Sequence, residues 1–162
     1  MSLREISLSL PNRPGTLASV ARTLAKERIN VAAISVDSTG SRGRVRLIVS
    51  DPDRAMALLS SAGAKPEARE MIAVHLEDRA GSFLQVLETL AKGKVNVQSV
   101  AILVAREGNH PLVALSTSDL ARARRLLRQA GFASQLADRL VSNPDLLAAA
   151  PTIPTESVGL LL

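Results

Sequence analysis

Alternation is the first pattern in the chain. Residues 4–10, REISLSL, set Ile6, Leu8 and Leu10 against Glu5, Ser7 and Ser9, the period of a half-buried strand. Pro11 ends it. Asn12 can accept hydrogen bonds at a helix start, and Pro14 suits a first helical turn. Gly15 allows a tight turn and a close approach to the backbone. Leu17, Val20, Ala21 and Leu24 then fall at i, i+3, i+4 and i+7, one apolar face of a helix ending near Arg28. Asn30 to Asp37 is predicted as a second strand and Thr39-Gly40-Ser41 as a turn. Arg42 to Ser50 is a third strand, with Val45, Leu47 and Val49 on one face and Arg44, Arg46 and Ile48 on the other. Asp51-Pro52-Asp53 caps a second helix through about Ala62, closed by Gly63.

The pattern then repeats. NRPGTLASVARTLAKERINV, Asn12 to Val31, aligns without a gap on DRAGSFLQVLETLAKGKVNV, Asp78 to Val97, at an offset of 66, with nine of the 20 pairs identical. Ile72, Val74 and Leu76 stand 66 residues after Ile6, Leu8 and Leu10. The second copy predicts a helix carrying Phe83, Val86, Leu87 and Leu90, and a strand from Val95 to about Arg106. A hairpin turn over Glu107 to Pro111, a strand over Leu112 to Ser116 and a helix capped by Asp119 follow. Gly63 and Gly131 stand 68 apart, which points to two residues gained in the second helix of that copy. A period this long suits a small domain duplicated once rather than a solenoid.

Each unit reads βαββα and needs a final strand, which makes it a split βαβ, ferredoxin-like module. The expected class is α+β: two βαββαβ modules, with antiparallel sheets and helices on one face. Module 1 spans residues 1–70, module 2 spans 71–143, and 144–162 forms a C-terminal tail. The final strand of the first unit merges into 64–76, and that of the second is sought within 132–143, where the pattern reads equally well as helix.

Composition narrows the functions. The chain has 162 residues, 46% hydrophobic, with two Phe and no Tyr or Trp, so the cores are Leu, Val, Ile and Ala. Two half-chain domains bury little surface each, which favours packing between them or a homodimer. With no cysteine, disulfides and thiolate metal sites are excluded. No signal peptide is evident, and no stretch approaches the roughly 18 apolar residues of a membrane span, so a cytoplasmic protein is the expectation.

Candidate chemistry is sparse. His75 falls in a strand and His110 in a hairpin turn, and nothing in the spacing builds a nucleophile–base constellation or a metal site. No phosphate-binding or dinucleotide glycine fingerprint is present, so no enzyme activity and no cofactor are expected. The net charge is +5, with acids and bases interspersed through most of the chain. Arg42, Arg44 and Arg46 share a strand, and Arg122, Arg124, Arg125 and Arg128 share a helix. RNA-binding ferredoxin-like sheets stack bases on aromatics, which the third strands here lack, so these arginines read first as solvated faces, and a nucleic-acid-associated regulator stays open only as a lesser alternative.

A strand, then Asn12-Arg13-Pro14-Gly15-Thr16-Leu17, an amphipathic helix, and Asn30-Val31 opening the next strand resembles the ACT domain. Asp78-Arg79-Ala80-Gly81-Ser82-Phe83 with Asn96-Val97 resembles it again, departing at Ala80, where the family usually has Pro. Over about residues 3–135 the chain resembles stand-alone tandem-ACT proteins without a catalytic domain. The resemblance implies a regulatory module that binds a free amino acid or similar small metabolite. It also implies modules paired side by side through edge strands, with ligand between one strand-to-helix loop and a neighbour's second strand. The candidate positions are then Asn12 to Leu17 with Asn30, Val31 and Ile34, and Asp78 to Phe83 with Asn96, Val97 and Val100. The chemistry of those positions agrees. A helix N-terminus receives a carboxylate, and Asn12 or Asp78 either recognises an ammonium or caps its helix. Asn30 and Asn96 either line a site or turn the chain into a strand. An enzyme partner remains open, as for the acetolactate synthase small subunit, although the second motif at Asp78 argues against that family itself.

Overall fold

The computed structural model describes residues 3–107 and 110–132. The expected final strand within 132–143 and the tail at 144–162 lie outside these residues, apart from Phe132. In chain order the elements are β1 (Leu3–Pro11), α1 (Thr16–Lys26), β2 (Val31–Thr39), β3 (Arg42–Val49), α2 (Pro52–Ser61) and β4 (Glu67–His75). They continue with α3 (Ser82–Lys92), β5 (Val97–Glu107), β6 (His110–Thr117) and α4 (Leu120–Gln129). The six strands form one antiparallel sheet in the order β2-β3-β1-β4-β6-β5, and the architecture is the expected α+β class.

Strand β4 joins the two repeats. Its residues 67–71 pair with β1, Leu3 opposite Met71 and Ser7 opposite Glu67, while residues 72–75 pair with β6, Ile72 opposite Leu115 and His75 opposite Leu112. The last strand of the first unit and the first strand of the second are therefore one piece of backbone.

Two of the three cores repeat each other. Ile6, Leu8, Val20, Leu24, Leu47 and Leu59 pack in the first, and Ile72, Val74, Val86, Leu90, Leu115 and Leu127 in the second. In each, the apolar face of the sheet is covered by its two helices. The helix faces are narrower than the periodicity predicts. Leu17 is 39% exposed and Ala21 is exposed, whereas Val20 and Leu24 are buried.

The third core lies on the other side of the sheet. Leu3, Ala32, Ile48, Met71, Leu103, Leu112 and Ala114 are buried together. These residues alternate with the helix-facing ones, so they occupy the faces that a single module would present to water. Although β2 and β5 end the strand order, they come into contact. The sheet thus folds over at β4, and its two halves oppose their helix-free faces. Within the chain the halves are stacked, not laid edge to edge.

The two extra residues of the second copy lie elsewhere than expected. Helices α2 and α4 are both ten residues long. The offset is already 68 between Val45 and Val113, which are equivalent in the two cores. In the β5–β6 ladder, Ile102 faces Val113 and Arg106 faces Pro111, so β5 advances four residues while β6 advances two. The insertion is an irregularity of β5, and β5 has 11 residues where β2 has nine. The ladder also continues to Glu107 opposite His110, which shortens the predicted hairpin turn.

Leu112 is fully buried between the sheet halves. Leu112→Ala is expected to cost about 2–5 kcal/mol, measured by urea unfolding of the full chain.

Candidate functional site

The two strand-to-helix loops are built alike. Gly15 is the N-cap of α1 at φ 86°, and Gly81 the N-cap of α3 at φ 89°. Both are in the left-handed region, where a side chain is disfavoured. Neither helix has a side-chain cap hydrogen bond or an acidic residue in its first turn. A Cβ placed on Gly15 or Gly81 would meet nothing within 4 Å. Each helix start therefore combines partial positive charge with open space, a setting that accepts an anionic group.

Asn12 does not cap α1. Its Nδ2 donates to the Gly40 carbonyl at 3.1 Å, and its backbone N–H donates to the Ser41 carbonyl at 2.9 Å. The side chain thus ties the loop to the β2–β3 turn. Pro14 lies in the turn before the helix, which begins at Thr16. Asn12, Arg13, Thr16 and Leu17 come together with Val36 and Ser38 of β2 around a cavity of about 70 Å³. Sequence reasoning missed the β2 residues. The turn at Thr39-Gly40-Ser41 was the available signal, because antiparallel pairing returns β2 to the end of β1.

Asn30 and Val31 sit at the far end of β2. Pro11 and Thr39 both lie opposite Arg42, while Val31 lies opposite Val49. The Asn30 N–H donates to Ser50 Oγ at 3.0 Å. Within one copy, then, the loop and the start of β2 are at opposite ends of the sheet. The second copy has the same arrangement, with the Asn96 N–H donating to Ser118 Oγ at 3.0 Å and Val97 packing against the second core. Ile34 and Val100 are brought together. They line one cavity of about 270 Å³ between the sheet halves.

The second loop differs in its side chains. Asp78 and Ala80 are exposed, and Arg79 pairs with the neighbouring Glu77. Phe83 packs against the second core. Ser82 is 4% exposed, and its Oγ has no hydrogen-bond partner among the described residues. A buried hydroxyl left so is costly, and it stands at the first residue of α3.

Among the described residues, no group of three or more His, Asp or Glu side chains could hold a metal ion, and no helix is long and apolar enough to cross a membrane.

Residues 4–59 match the ACT domain model. A protein from Bacteroides thetaiotaomicron superposes at a TM-score of 0.73 with 25% identity, over 81% of this chain and 90% of that one. The regulatory subunit of aspartate kinase from Thermus thermophilus superposes at 0.59 with 21% identity, over 80% of this chain and 92% of that one. Aspartate kinase from Synechocystis superposes at 0.55 with 19% identity, over 80% of this chain but 26% of that one. No curated protein matches the chain. The fold is thus ACT-like, with the family match confined to residues 4–59.

Ala at position 15 or 81 would have to hold the left-handed conformation. Gly15→Ala and Gly81→Ala are each expected to lower stability by about 1–2 kcal/mol, read by urea unfolding, with no steric contribution.

Proposed function

We propose that the chain is a non-catalytic regulatory protein with two ACT modules, residues 1–70 and 71–143, that binds a free amino acid or a similar small metabolite. One observation carries this reading. Two helices of a chain with an ACT match start at left-handed glycines, without side-chain caps and with open space before them. The ligand carboxylate meets the N-terminus of α1 or α3, and Asn12 or Asp78 takes the ammonium. Asp78 brings a full charge, so the second loop favours a cationic group more strongly.

The rest of each site comes from a second copy of the chain. Asn30 and Val31 lie far from their own loop, so a partner's strand would have to bring such residues to it. The outer strands are suited to that contact. Ile34 and Val36 of β2 are 53% and 45% exposed, and Val100, Ile102 and Val104 of β5 are 45%, 71% and 61% exposed. Edge strands with apolar side chains are templates for pairing. A ligand that bridges two chains favours the paired state, and what differs between paired and unpaired chains is the output.

A second reading makes the protein a regulatory subunit of an amino-acid biosynthetic enzyme, which the likeness to an aspartate kinase regulatory subunit favours. In either reading it is a cytoplasmic protein.

Thermal unfolding against the twenty amino acids is the direct test. A ligand at 100-fold excess over Kd stabilises the folded state by about 2.7 kcal/mol, so one amino acid, or a few related ones, should raise the midpoint. A flat panel would sink the amino-acid reading. Asp78→Asn should weaken binding at the second loop, and unchanged affinity would remove Asp78 from the site. For the paired state, sedimentation should show a dimer that Ile34→Lys dissociates. A monomer at all concentrations would overturn the two-chain site.

A further inference from the structure

The stacked interface between the sheet halves is polar at one end and apolar at the other. Glu5, on β1, is 7% exposed. Its carboxylate accepts a hydrogen bond from Ser99 Oγ at 2.6 Å, and Ser99 Oγ lies 2.8 Å from Ser116 Oγ. Arg46 Nε stands 3.9 Å from Glu5, and Arg46 also binds Ser35 and Asp37.

A cavity of about 150 Å³ lies here, lined by Glu5 and Ser7 of β1, Arg44 and Arg46 of β3, Arg69 of β4, and Gln98 and Ser99 of β5. The pairing explains the convergence. Arg46 lies opposite Ser7, and Arg69 lies opposite Glu5, on strands flanking β1. Gln98 and Ser99 come from the other half of the sheet. Arg44 and Arg69 make no ion pair among the described residues.

The repeat supplies an internal control. At the equivalent positions of the other copy, Ser7 becomes Ala73, Arg44 becomes Leu112, Arg46 becomes Ala114, Gln98 becomes Ala32 and Ser99 becomes Ala33. Glu5 becomes Met71. All of these apolar counterparts lie in or against the third core. The fold therefore packs this interface well without charges, and the polar cavity is not a requirement of the architecture. Three guanidinium groups gathered at one small cavity repel each other, and Glu5 and Asp37 offset two of the three charges.

We propose that this cavity binds a small oxyanion, the phosphoryl or carboxylate group of a metabolite, held by Arg44 and Arg69 with Gln98 donating from the opposite half. Planar guanidinium forks match both groups. The ligand touches both halves of the sheet, so its binding tightens the contact between them. The site is separate from the helix N-termini, and does not depend on what binds there.

The test is thermal unfolding and calorimetric titration of the full chain with inorganic phosphate and with citrate, ionic strength held constant with sodium chloride. A saturable rise in midpoint is expected. Phosphate acting alone identifies a phosphoryl site, and citrate acting alone a carboxylate site. Arg44→Ser/Arg69→Ser should weaken binding about tenfold or more, while Arg124→Ser on α4 leaves it unchanged. Arg44→Lys/Arg69→Lys keeps the charge and removes the forks, and it should bind more weakly than the wild-type chain even if the serine variant fails to fold. No saturable shift with either anion, or the same shift in all the variants, would overturn the proposal.

Discussion

Strand β4 serves two ladders with a single backbone. Residues 67–71 pair with β1 and residues 72–75 with β6, so neither half of the sheet is complete without it. Side chains alternate along the strand, so Ile72 and Val74 enter the second helix-covered core while Met71 enters the core between the halves. A one-residue slip would exchange these sets. The stacking of the two halves, the meeting of β2 with β5 and the closure of the cleft over Glu5 all follow from the fold-over at this strand.

Stacking changes what the helix-free faces can do. A ferredoxin-like unit standing alone would offer that face to water. Here Ile48, Leu112 and Ala114 are removed from water, and the face at the other end of the interface keeps its charges in a cleft. The strand-to-helix loops are left outside the stack, while β2 and β5 give Ala32 and Leu103 to it and still expose Val36, Ile102 and Val104. Two kinds of surface thus arise from two similar stretches of sequence. One has nearly the same backbone geometry in both copies, at Gly15 and Gly81. The other has diverged, so that Arg44 and Arg46 stand where the second copy has Leu112 and Ala114.

Much of the fold was legible because local periodicity and repetition spoke together. The strands at Ile6–Leu10 and Arg42–Val49, the helix caps at Asp51 and Asp119 and the two glycine loops all follow from short-range chemistry. What was not legible depended on distant contacts. Arg46 alternates with Val45 and Leu47 just as a solvent-facing residue would, and alternation cannot separate water from a polar cleft. Leu17 and Ala21 fit a helical stripe, yet only Val20 and Leu24 of that stripe are buried. Gly63 and Gly131 mark only the end of the helix, so their spacing counts the insertion without placing it. The core residues Val45 and Val113 place the insertion in β5. At the loops, Asn12 has the chemistry of a helix cap as well as of an ammonium contact. The turn at Gly40 offered its amide a carbonyl instead.

The order of synthesis gives the shared strand a further meaning. As the chain leaves the ribosome, β1, β2 and β3 can pair early, since Val49 follows Leu3 closely. The other edge of β1 stays open until Glu67–Met71 have emerged. Leu3, Ala32 and Ile48 stay uncovered for longer still, until Leu103 and Leu112 arrive. Long-range pairing of this kind is slow, and open strand edges expose a nascent chain to wrong partners. The chain cannot finish its first half before making much of its second. The shared strand thus makes the two halves of the chain depend on each other to finish folding.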